Sequence, residues 1–280
     1  MAITKAIIPV AGWGTRRLPI TKAIEKCMLP LGNRPLIDYV VQDCITAGIN
    51  DFYFVVGEQS EQLQSYYRDN IALNDYLKTK NDARLLELVR PPQVSFHFIT
   101  QPSYGKYGTS VPVSLCKNFI DTGEQFLVIM GDQSFFQADR TSNAQRLIAL
   151  TESSGARSGL LGVSVPPQDI GQYGIIEKDA SGMYTRIIEH PKPGETQSTL
   201  NNASFYLFDQ GIFEFIDDDM NREHAPGQEY WLIDALNAYV ASGSPVAVGE
   251  ANGTYLDCGN VTGWLHANQV VISETHPANL

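Results

Sequence analysis

The first half of the chain alternates short apolar runs, typical of buried strands, with segments whose apolar residues are spaced as on one face of a helix. Strands are predicted at 6–10, 52–56, 94–99, 126–130 and 159–165, and helices at 35–48, 58–69, 74–89, 111–119 and 143–153. This order favours a mostly parallel sheet covered by helices on both faces. The sequence therefore predicts a Rossmann-like α/β fold.

The second half has a different pattern. Short strands are predicted at 174–177, 184–189 and 203–208, helices at 210–218 and 230–242, strands at 245–250 and 254–257, and a last helix from about 261. We expect one domain, 1–280, with an α/β core over 1–165. Residues 166–260 would be woven back into the same sheet, and 261–280 would form a C-terminal helix and tail.

The stretch 10–30 combines a glycine turn with positive charge, in a chain whose net charge is −11. Gly12 and Gly14 follow the first predicted strand and let the backbone approach a ligand closely. The four cations of the stretch are Arg16, Arg17, Lys22 and Lys26. A strand, a glycine turn and clustered cations are typical of a site for a phosphate ligand, although an ordinary strand–helix turn also fits the glycines. A dinucleotide-binding turn is disfavoured, since its third glycine is missing and Pro19 interrupts the following helix.

Two aspartates, Asp132 and Asp257, lie where predicted strands end. Ligands of open α/β sheets bind outside the carboxyl ends of the strands. Each aspartate either holds a divalent cation or caps a turn. As a pair they would form a hard-oxygen site suited to Mg²⁺. The histidines show no metal-binding spacing and no nucleophile motif is present, which favours phosphoryl or nucleotidyl transfer, a chemistry of positioning and charge stabilisation.

Composition excludes several other classes. A pI of about 4.9 argues against non-specific nucleic-acid binding. The cysteines (27, 44, 116 and 258) are widely spaced, so reduced thiols are expected rather than disulfides or a zinc site. No apolar run approaches the roughly 20 residues that span a bilayer, and the N-terminus leaves no room for a signal peptide. We expect a cytoplasmic protein with neither nucleic-acid nor membrane partners.

Motifs along nearly the whole chain resemble those of the sugar-1-phosphate nucleotidyltransferase family. The first three are Pro9-Val-Ala-Gly-Trp-Gly-Thr-Arg16, Leu18-Pro-Ile-Thr-Lys22 with Lys26, and Met28-Leu-Pro30. Further matches are Gln101, Gly131-Asp132, Tyr173-Gly174, Glu189-His-Pro-Lys192, Glu229, Asp234 and Asp257-Cys-Gly-Asn260. The Pro-Val-Ala-Gly and Met-Leu-Pro forms are similar to the bacterial branch that uridylylates glucose 1-phosphate.

The resemblance implies the nucleotide-diphospho-sugar transferase fold, with the nucleotide on 1–165 and the sugar on a small β-rich part within 166–260. It implies Mg²⁺-dependent transfer from UTP to glucose 1-phosphate, giving UDP-glucose and pyrophosphate. Relatives form dimers and tetramers, so the last helix either packs on a second copy, in a homodimer or homotetramer, or packs on its own core. Two alternatives stay open: another base or sugar, such as dTTP, and a catalytically weak subunit that binds nucleotide sugars.

The resemblance also implies residue roles. Arg16 would stabilise the triphosphate and the leaving pyrophosphate, and Lys26 would neutralise the phosphates during attack on the α-phosphorus. Mg²⁺ would be held by Asp132 and Asp257. The nucleotide-binding residues would be Ala11, Gly12, Gly14, Thr15, Gln101 and Gly108. The sugar-phosphate-binding residues would be Gly174, Glu189, His190 and Lys192.

Three departures from the family pattern concern these roles. Glu25-Lys-Cys-Met28 stands where the family usually has Pro-Lys-Glu-Met. His190 stands where a lysine ordinarily contacts the sugar phosphate, and histidine is shorter and mostly neutral at neutral pH. The base loop 102–112 is also altered, so the sequence indicates the reaction class better than the base.

Overall fold

The computed structural model describes residues 2–137, 139, 141–225 and 227–275; the last five residues of the predicted tail lie outside this part. Its strands are β1 (Lys5–Pro9), β2 (Pro30–Leu31), β3 (Arg34–Pro35), β4 (Asp51–Gly57), β5 (Ser95–Gln101), β6 (Gln125–Ile129), β7 (Gln133–Phe136), β8 (Ser158–Ser164), β9 (Gly174–Lys178), β10 (Tyr184–Glu189), β11 (Leu200–Asp209), β12 (Val246–Glu250) and β13 (Thr254–Asp257). Its α-helices are α1 (Leu36–Thr46), α2 (Gln62–Tyr66), α3 (Ile71–Thr79), α4 (Ala83–Leu88), α5 (Ser110–Ser114), α6 (Asn143–Ser154), α7 (Ile212–Met220), α8 (Leu232–Ala241) and α9 (Val261–Glu274).

One large mixed sheet organises the described part of the chain. Its main path runs β10-β9-β11-β6-β1-β4-β5, while β8 pairs with β11 and β12 with β8. Strands β6, β1, β4 and β5 are parallel, and β11 runs antiparallel to β6, β8 and β9. Strands β9 to β12 thus return to the first sheet, whereas β13 pairs with β7 in a separate two-stranded sheet.

Apolar side chains cover both faces of this sheet. In β1, Ile7 packs on one face and Ile8 on the other, as expected for successive residues of a strand. Helices α5, α7 and α8 cover the face of Ile7, and α1 and α6 cover the face of Ile8. The fully buried, β-rich centre with helices on both sides confirms the predicted α/β fold.

Two local predictions differ from the structure. The predicted single helix 74–89 is two helices, α3 and α4, because Asn81 adopts a left-handed φ of 52° and Asp82 caps α4 by accepting from the amides of Arg84 and Leu85. Strand β7 was not predicted. Among the described residues, no helix has the length and apolar character needed to cross a bilayer.

The sheet order locates a crevice. From β1 the parallel strands extend to β4 and β5 on one side, and to β6 on the other. The loops that leave the carboxyl ends of β1 and β6 therefore diverge, which opens a space between them. This topological switch point is where open α/β sheets bind ligands.

Candidate functional site

A cleft lies at the switch point, between the loops after β1 and β6. It encloses about 720 Å³, including the part open to solvent. The amide of Gly131 donates to the carbonyl of Pro9 (3.3 Å), and a Cβ on Gly131 would lie 2.4 Å from Val10 Cγ1. Only glycine allows the two loops to approach so closely. The lining residues are Pro9, Val10, Ala11, Gly12, Lys26, Cys27, Gln101, Tyr107, Gly108, Thr109, Pro112, Met130, Gly131, Asp132 and Glu229.

The glycine loop after β1 leaves room on one side and packs tightly on the other. A Cβ on Gly12 would meet no atom within 4 Å, so this position faces open space in the cleft. Gly14 has a left-handed φ of 63°, and a Cβ there would lie 3.2 Å from the Cβ of Lys26. Thr21 Oγ1 donates to the carbonyl of Gly14 (2.9 Å). The glycine loop is therefore packed against the turn that carries Lys26.

Lys26 and Asp132 meet in the wall of the cleft. The lysine ammonium and the aspartate carboxylate form a hydrogen-bonded ion pair, with side chains 25% and 29% exposed. The two residues are 106 positions apart in the chain. The structure thus brings a predicted catalytic cation to a predicted metal ligand.

Asp257 reaches the same region through the small sheet. Pairing of β13 with β7 places Asp257 opposite Gln133, the residue after Asp132. Its Oδ1 accepts from the Gly259 amide (2.9 Å). Burial, and then the charges of Asp257 and Asp132, raise the pKa of Tyr255. Asp132 and Asp257 are therefore both close enough to Tyr255 to influence its pKa. They are not at the ends of neighbouring strands of the main sheet, because β13 belongs to the small sheet.

The carboxylate pair suits Mg²⁺ by its chemistry. Among the described residues, no three His, Cys, Asp or Glu side chains form a metal-binding group. Mg²⁺ usually takes one or two carboxylates from the protein and completes its shell with phosphate oxygens and water. The ammonium of Lys26 already sits on Asp132, which shows that this carboxylate accepts a cation from the cleft side. Asp132 and Asp257 thus fit a Mg²⁺ ion that arrives with a phosphate ligand.

The two arginines of the glycine loop have opposite environments. Arg16 is exposed, and its guanidinium lies 3.8 Å from where a Cβ on Gly259 would be, so it reaches the loop after β13 and does not line the cleft. Arg17 is 1% exposed, and none of its three guanidinium nitrogens has a hydrogen-bond partner among the described residues. Burial lowers the pKa of Arg17, while the nearby charges of Asp132 and Asp257 oppose this shift. Sequence reasoning identified Arg17 only as one member of the cation cluster.

The base loop is held by the segment that precedes α8. The amide of Tyr230 donates to the carbonyl of Tyr107 (2.8 Å), and the amide of Ser110 donates to the carbonyl of Tyr230 (2.9 Å). Gly108 has a φ of 128°, and a Cβ there would lie 2.3 Å from the carbonyl oxygen of Tyr230. Gln101 ends β5 at the same wall. Sequence reasoning missed the lining role of Tyr107 and Thr109, which no local pattern indicates.

Two of the predicted sugar-phosphate-binding residues, Gly174 and Glu189, lie on the β9–β10 hairpin. The register of the hairpin pairs Gly174 with Glu189, and a Cβ on Gly174 would lie 2.6 Å from Glu189 Oε1. Burial and then the charge of Asp257 raise the pKa of Tyr173, so this hairpin adjoins the Asp257 end of the site. Gly174 and Glu189 do not line the cleft around Gly12.

The two basic residues after β10 are exposed. His190 adopts a left-handed φ of 48°, and its Nδ1–H donates to the carbonyl of Gly171 (3.2 Å). The side chain of Lys192 points to solvent, while its amide donates to the carboxylate of Glu195 (2.9 Å). Neither side chain lines the cleft.

A thiol completes the cleft wall beside Lys26. Cys27 is 3% exposed, and burial raises its pKa to about 12. The thiol therefore stays protonated at neutral pH and is a poor nucleophile. Charge in this part of the cleft comes from Lys26 and Asp132.

Of the fourteen predicted site residues, six line one cleft. They are Ala11, Gly12, Lys26, Gln101, Gly108 and Asp132. Gly14 packs against Lys26 without lining the cleft, and Asp257 is brought near Asp132 by the pairing of β7 with β13. Thr15 begins the turn that carries Arg16, and both residues are exposed.

The nucleotidyl transferase family model matches residues 5–274. UTP–glucose-1-phosphate uridylyltransferase of Haemophilus influenzae is 30% identical over 94% of this chain and 91% of that protein. A Methanocaldococcus jannaschii protein, provisionally given the same name, is 32% identical over 98% of this chain and 95% of its own length.

Solved structures agree in fold over nearly the whole chain. UTP-bound UGPase from Acinetobacter baumannii superposes with a TM-score of 0.86 at 27% identity, covering 99% of this chain and 95% of that one. A UDP-glucose pyrophosphorylase complexed with UDP-glucose gives a TM-score of 0.79 at 26% identity, covering 98% and 100%.

Proposed function

Because the chain belongs to the nucleotidyl transferase family, we propose that it transfers the uridylyl group of UTP to glucose 1-phosphate. The products are UDP-glucose and pyrophosphate. The names of the aligned relatives support the choice of substrates. The observation that carries the proposal is the Lys26–Asp132 ion pair beside an open glycine loop at the switch point of the sheet.

The reaction needs positioning and charge stabilisation from the protein. A phosphate oxygen of glucose 1-phosphate attacks the α-phosphorus of UTP and forms a new P–O bond. The bond from the α-phosphorus to the oxygen bridging to the β-phosphate breaks, and pyrophosphate leaves with the electron pair. Lys26 places a positive charge beside the reacting phosphates, and Arg16 binds the leaving pyrophosphate from the rim. No covalent enzyme intermediate is required.

The remaining residues bind the two substrates. Loop amides at 11–15 cradle the nucleotide, with Gln101 and Gly108 at the base. Asp132 and Asp257 hold Mg²⁺, which neutralises charge on the phosphates when bound. Glu189 accepts hydrogen bonds from adjacent sugar hydroxyls, with Gly174 leaving room for its carboxylate. His190 and Lys192 contact the sugar phosphate.

A substrate panel tests this proposal. Pyrophosphate release is measured with Mg²⁺ and UTP, dTTP, ATP, CTP or GTP, each paired with glucose 1-phosphate and with other sugar 1-phosphates, and the nucleotide sugar is identified by mass. We expect the highest kcat/KM for UTP with glucose 1-phosphate. A preference for dTTP would overturn the base assignment. Calorimetric binding of UDP-glucose without pyrophosphate release from any pair would overturn the enzymatic assignment.

A further inference from the structure

Glu25, the residue before Lys26, binds the first turn of α2 with its carboxylate. Its Oε1 accepts from the amides of Glu61 (3.0 Å), Gln62 (2.7 Å) and Leu63 (3.3 Å), and its Oε2 accepts from Ser60 Oγ (2.6 Å). The first amides of a helix have no partner within the helix, and a carboxylate is a strong acceptor for them. Glu25 thus caps a helix that begins 37 residues later in the chain.

The contact is reciprocated by Gln62. Its Oε1 accepts from the amide of Glu25 (2.9 Å), and its Nε2 donates to the carbonyl of Ala23 (2.9 Å). The two side chains therefore each bind the other's backbone, as in a capping box whose halves come from distant segments. Gln62 therefore holds the backbone before Lys26 at two residues, Ala23 and Glu25.

The helix that receives Glu25 is itself anchored. Leu63 of α2 is fully buried and packs in the same apolar cluster as Cys27. On the other side of Lys26, the amide of Met28 donates to the carbonyl of Glu25 (2.8 Å), which closes the turn Lys26–Met28. Gly14 packs against the Cβ of Lys26. Lys26 is thus enclosed between the glycine loop and a turn fixed to the core through Glu25.

We propose that Glu25 is a positioning residue for Lys26: its cap on α2 holds the lysine turn so that the ammonium stays at Asp132 and at the reacting phosphates. The catalytic part of this statement rests on the proposed function. A proline, which the family usually has here, would restrain φ through its ring. The φ of Glu25 is −56°, a value that proline also adopts. In this chain hydrogen bonds to α2 provide the restraint.

The experiment compares four single variants and one double variant with the wild type. Glu25→Ala removes the cap, Glu25→Gln keeps an acceptor oxygen of similar reach, and Gln62→Ala removes the reciprocal half. Glu61→Ala is the matched control, because it deletes a carboxylate at the same end of the helix. Only the backbone amide of Glu61 takes part in the cap, and the substitution keeps that amide. The kcat and the KM for UTP are measured from pyrophosphate release. Hydrogen exchange is followed in peptides covering 20–30 and 58–66.

We expect Glu25→Ala to lower kcat about 10–100-fold with less than about a threefold change in KM, since misplacing a catalytic group by about 1 Å can cost 10²-fold. Exchange should quicken in the 20–30 peptide and not across the chain. Glu25→Gln should recover part of kcat, and Glu61→Ala should behave as wild type. The double variant Glu25→Ala/Gln62→Ala should lose no more than Glu25→Ala, because the two side chains form one unit.

A wild-type kcat in Glu25→Ala, or an equal loss in Glu61→Ala, would overturn the positioning role. So would a loss of kcat with unchanged exchange in 20–30. If Glu25→Ala does not fold, Gln62→Ala supplies the same comparison with the carboxylate in place. If the wild type itself releases no pyrophosphate, the proposed function fails, whereas the exchange measurement still tests the hold of Glu25 on the lysine turn.

Discussion

Gly174→Ala is a small change that should act on the sugar site through one neighbour. Gly174 lies in β9 opposite Glu189 of β10, without a left-handed backbone. A Cβ at this position would lie 2.6 Å from Glu189 Oε1 and 3.0 Å from the carboxyl carbon, whereas ordinary contact begins at 3.4 Å. The carboxylate must therefore retreat by close to an ångström.

The size of the effect follows from this displacement. Glu189 is exposed and its carboxylate is the far end of a flexible side chain, so the fold should tolerate the shift. Misplacing a substrate-positioning group by about 1 Å can cost up to 10²-fold. We expect the KM for glucose 1-phosphate to rise about 10–100-fold, or about 1.4–2.8 kcal/mol, with little change in the KM for UTP.

The assay is pyrophosphate release at varied glucose 1-phosphate, with thermal melting to confirm the fold. Gly171→Ala is the control, since its Cβ would meet only the carbonyl of Pro191, at 3.4 Å. If the alanine acts by displacing Glu189, the double variant Gly174→Ala/Glu189→Ala should match Glu189→Ala alone. Additive losses in the double variant, or a wild-type KM in Gly174→Ala, would refute this reasoning.

The remaining predictions concern other parts of the site. Lys26→Ala or Asp132→Ala should each lower kcat by at least about 100-fold with an unchanged melting temperature; normal turnover would remove the residue from the mechanism. His190→Lys should lower the KM for glucose 1-phosphate above neutral pH, because it adds a fixed positive charge; a large loss of activity would show a separate role for the imidazole. Gly108→Ala should raise the KM for UTP and lower the melting temperature, since its Cβ would lie 2.3 Å from the backbone of Tyr230. An unchanged KM together with an unchanged melting temperature would contradict the contact between the loop and Tyr230. Burial raises the pKa of all four thiols, which stay uncharged as the pH rises to 8, so Ellman's reagent at pH 8 should modify less than one per native chain and four in denaturant.

Elements with a strong local pattern could be predicted from the sequence. Strands β1, β4 and β6 are short apolar runs that are buried on both faces, and β5 alternates apolar with polar residues, so the sequence pattern indicates each of these strands. Strand β7 has only four residues and is defined by its partner β13, more than a hundred residues away. The break between α3 and α4 did have a local signal in Asn81-Asp82, which are turn and capping residues.

The residues that line the cleft could be predicted where a glycine or a charged residue comes directly after a predicted strand. Gly12 and Asp132 follow predicted strands directly, whereas Lys26 was singled out by its place in the family motif, and all three line the cleft. The approach of Asp257 to Asp132 was only a conjecture, because it depends on a pairing that the sequence does not encode locally. The cap by Glu25 is a contact between one side chain and distant backbone amides, for which no spacing pattern exists.

The departures of this chain from the family pattern differ in how close they lie to Lys26. His190 lies on an exposed segment, and the loop 102–112 forms part of the cleft wall. Neither change removes the ion pair between Lys26 and Asp132. Such changes can alter which base or sugar is bound while the reaction class persists. Glu25 departs at the centre of the site, where a change in backbone restraint would move Lys26. Where the family usually has proline, this chain has Glu25, which forms hydrogen bonds to the first turn of α2 with both its carboxylate and its amide. We therefore expect that turnover with Glu25 next to Lys26 depends on this contact with a second segment of the fold, and the Glu25 and Gln62 variants measure that dependence.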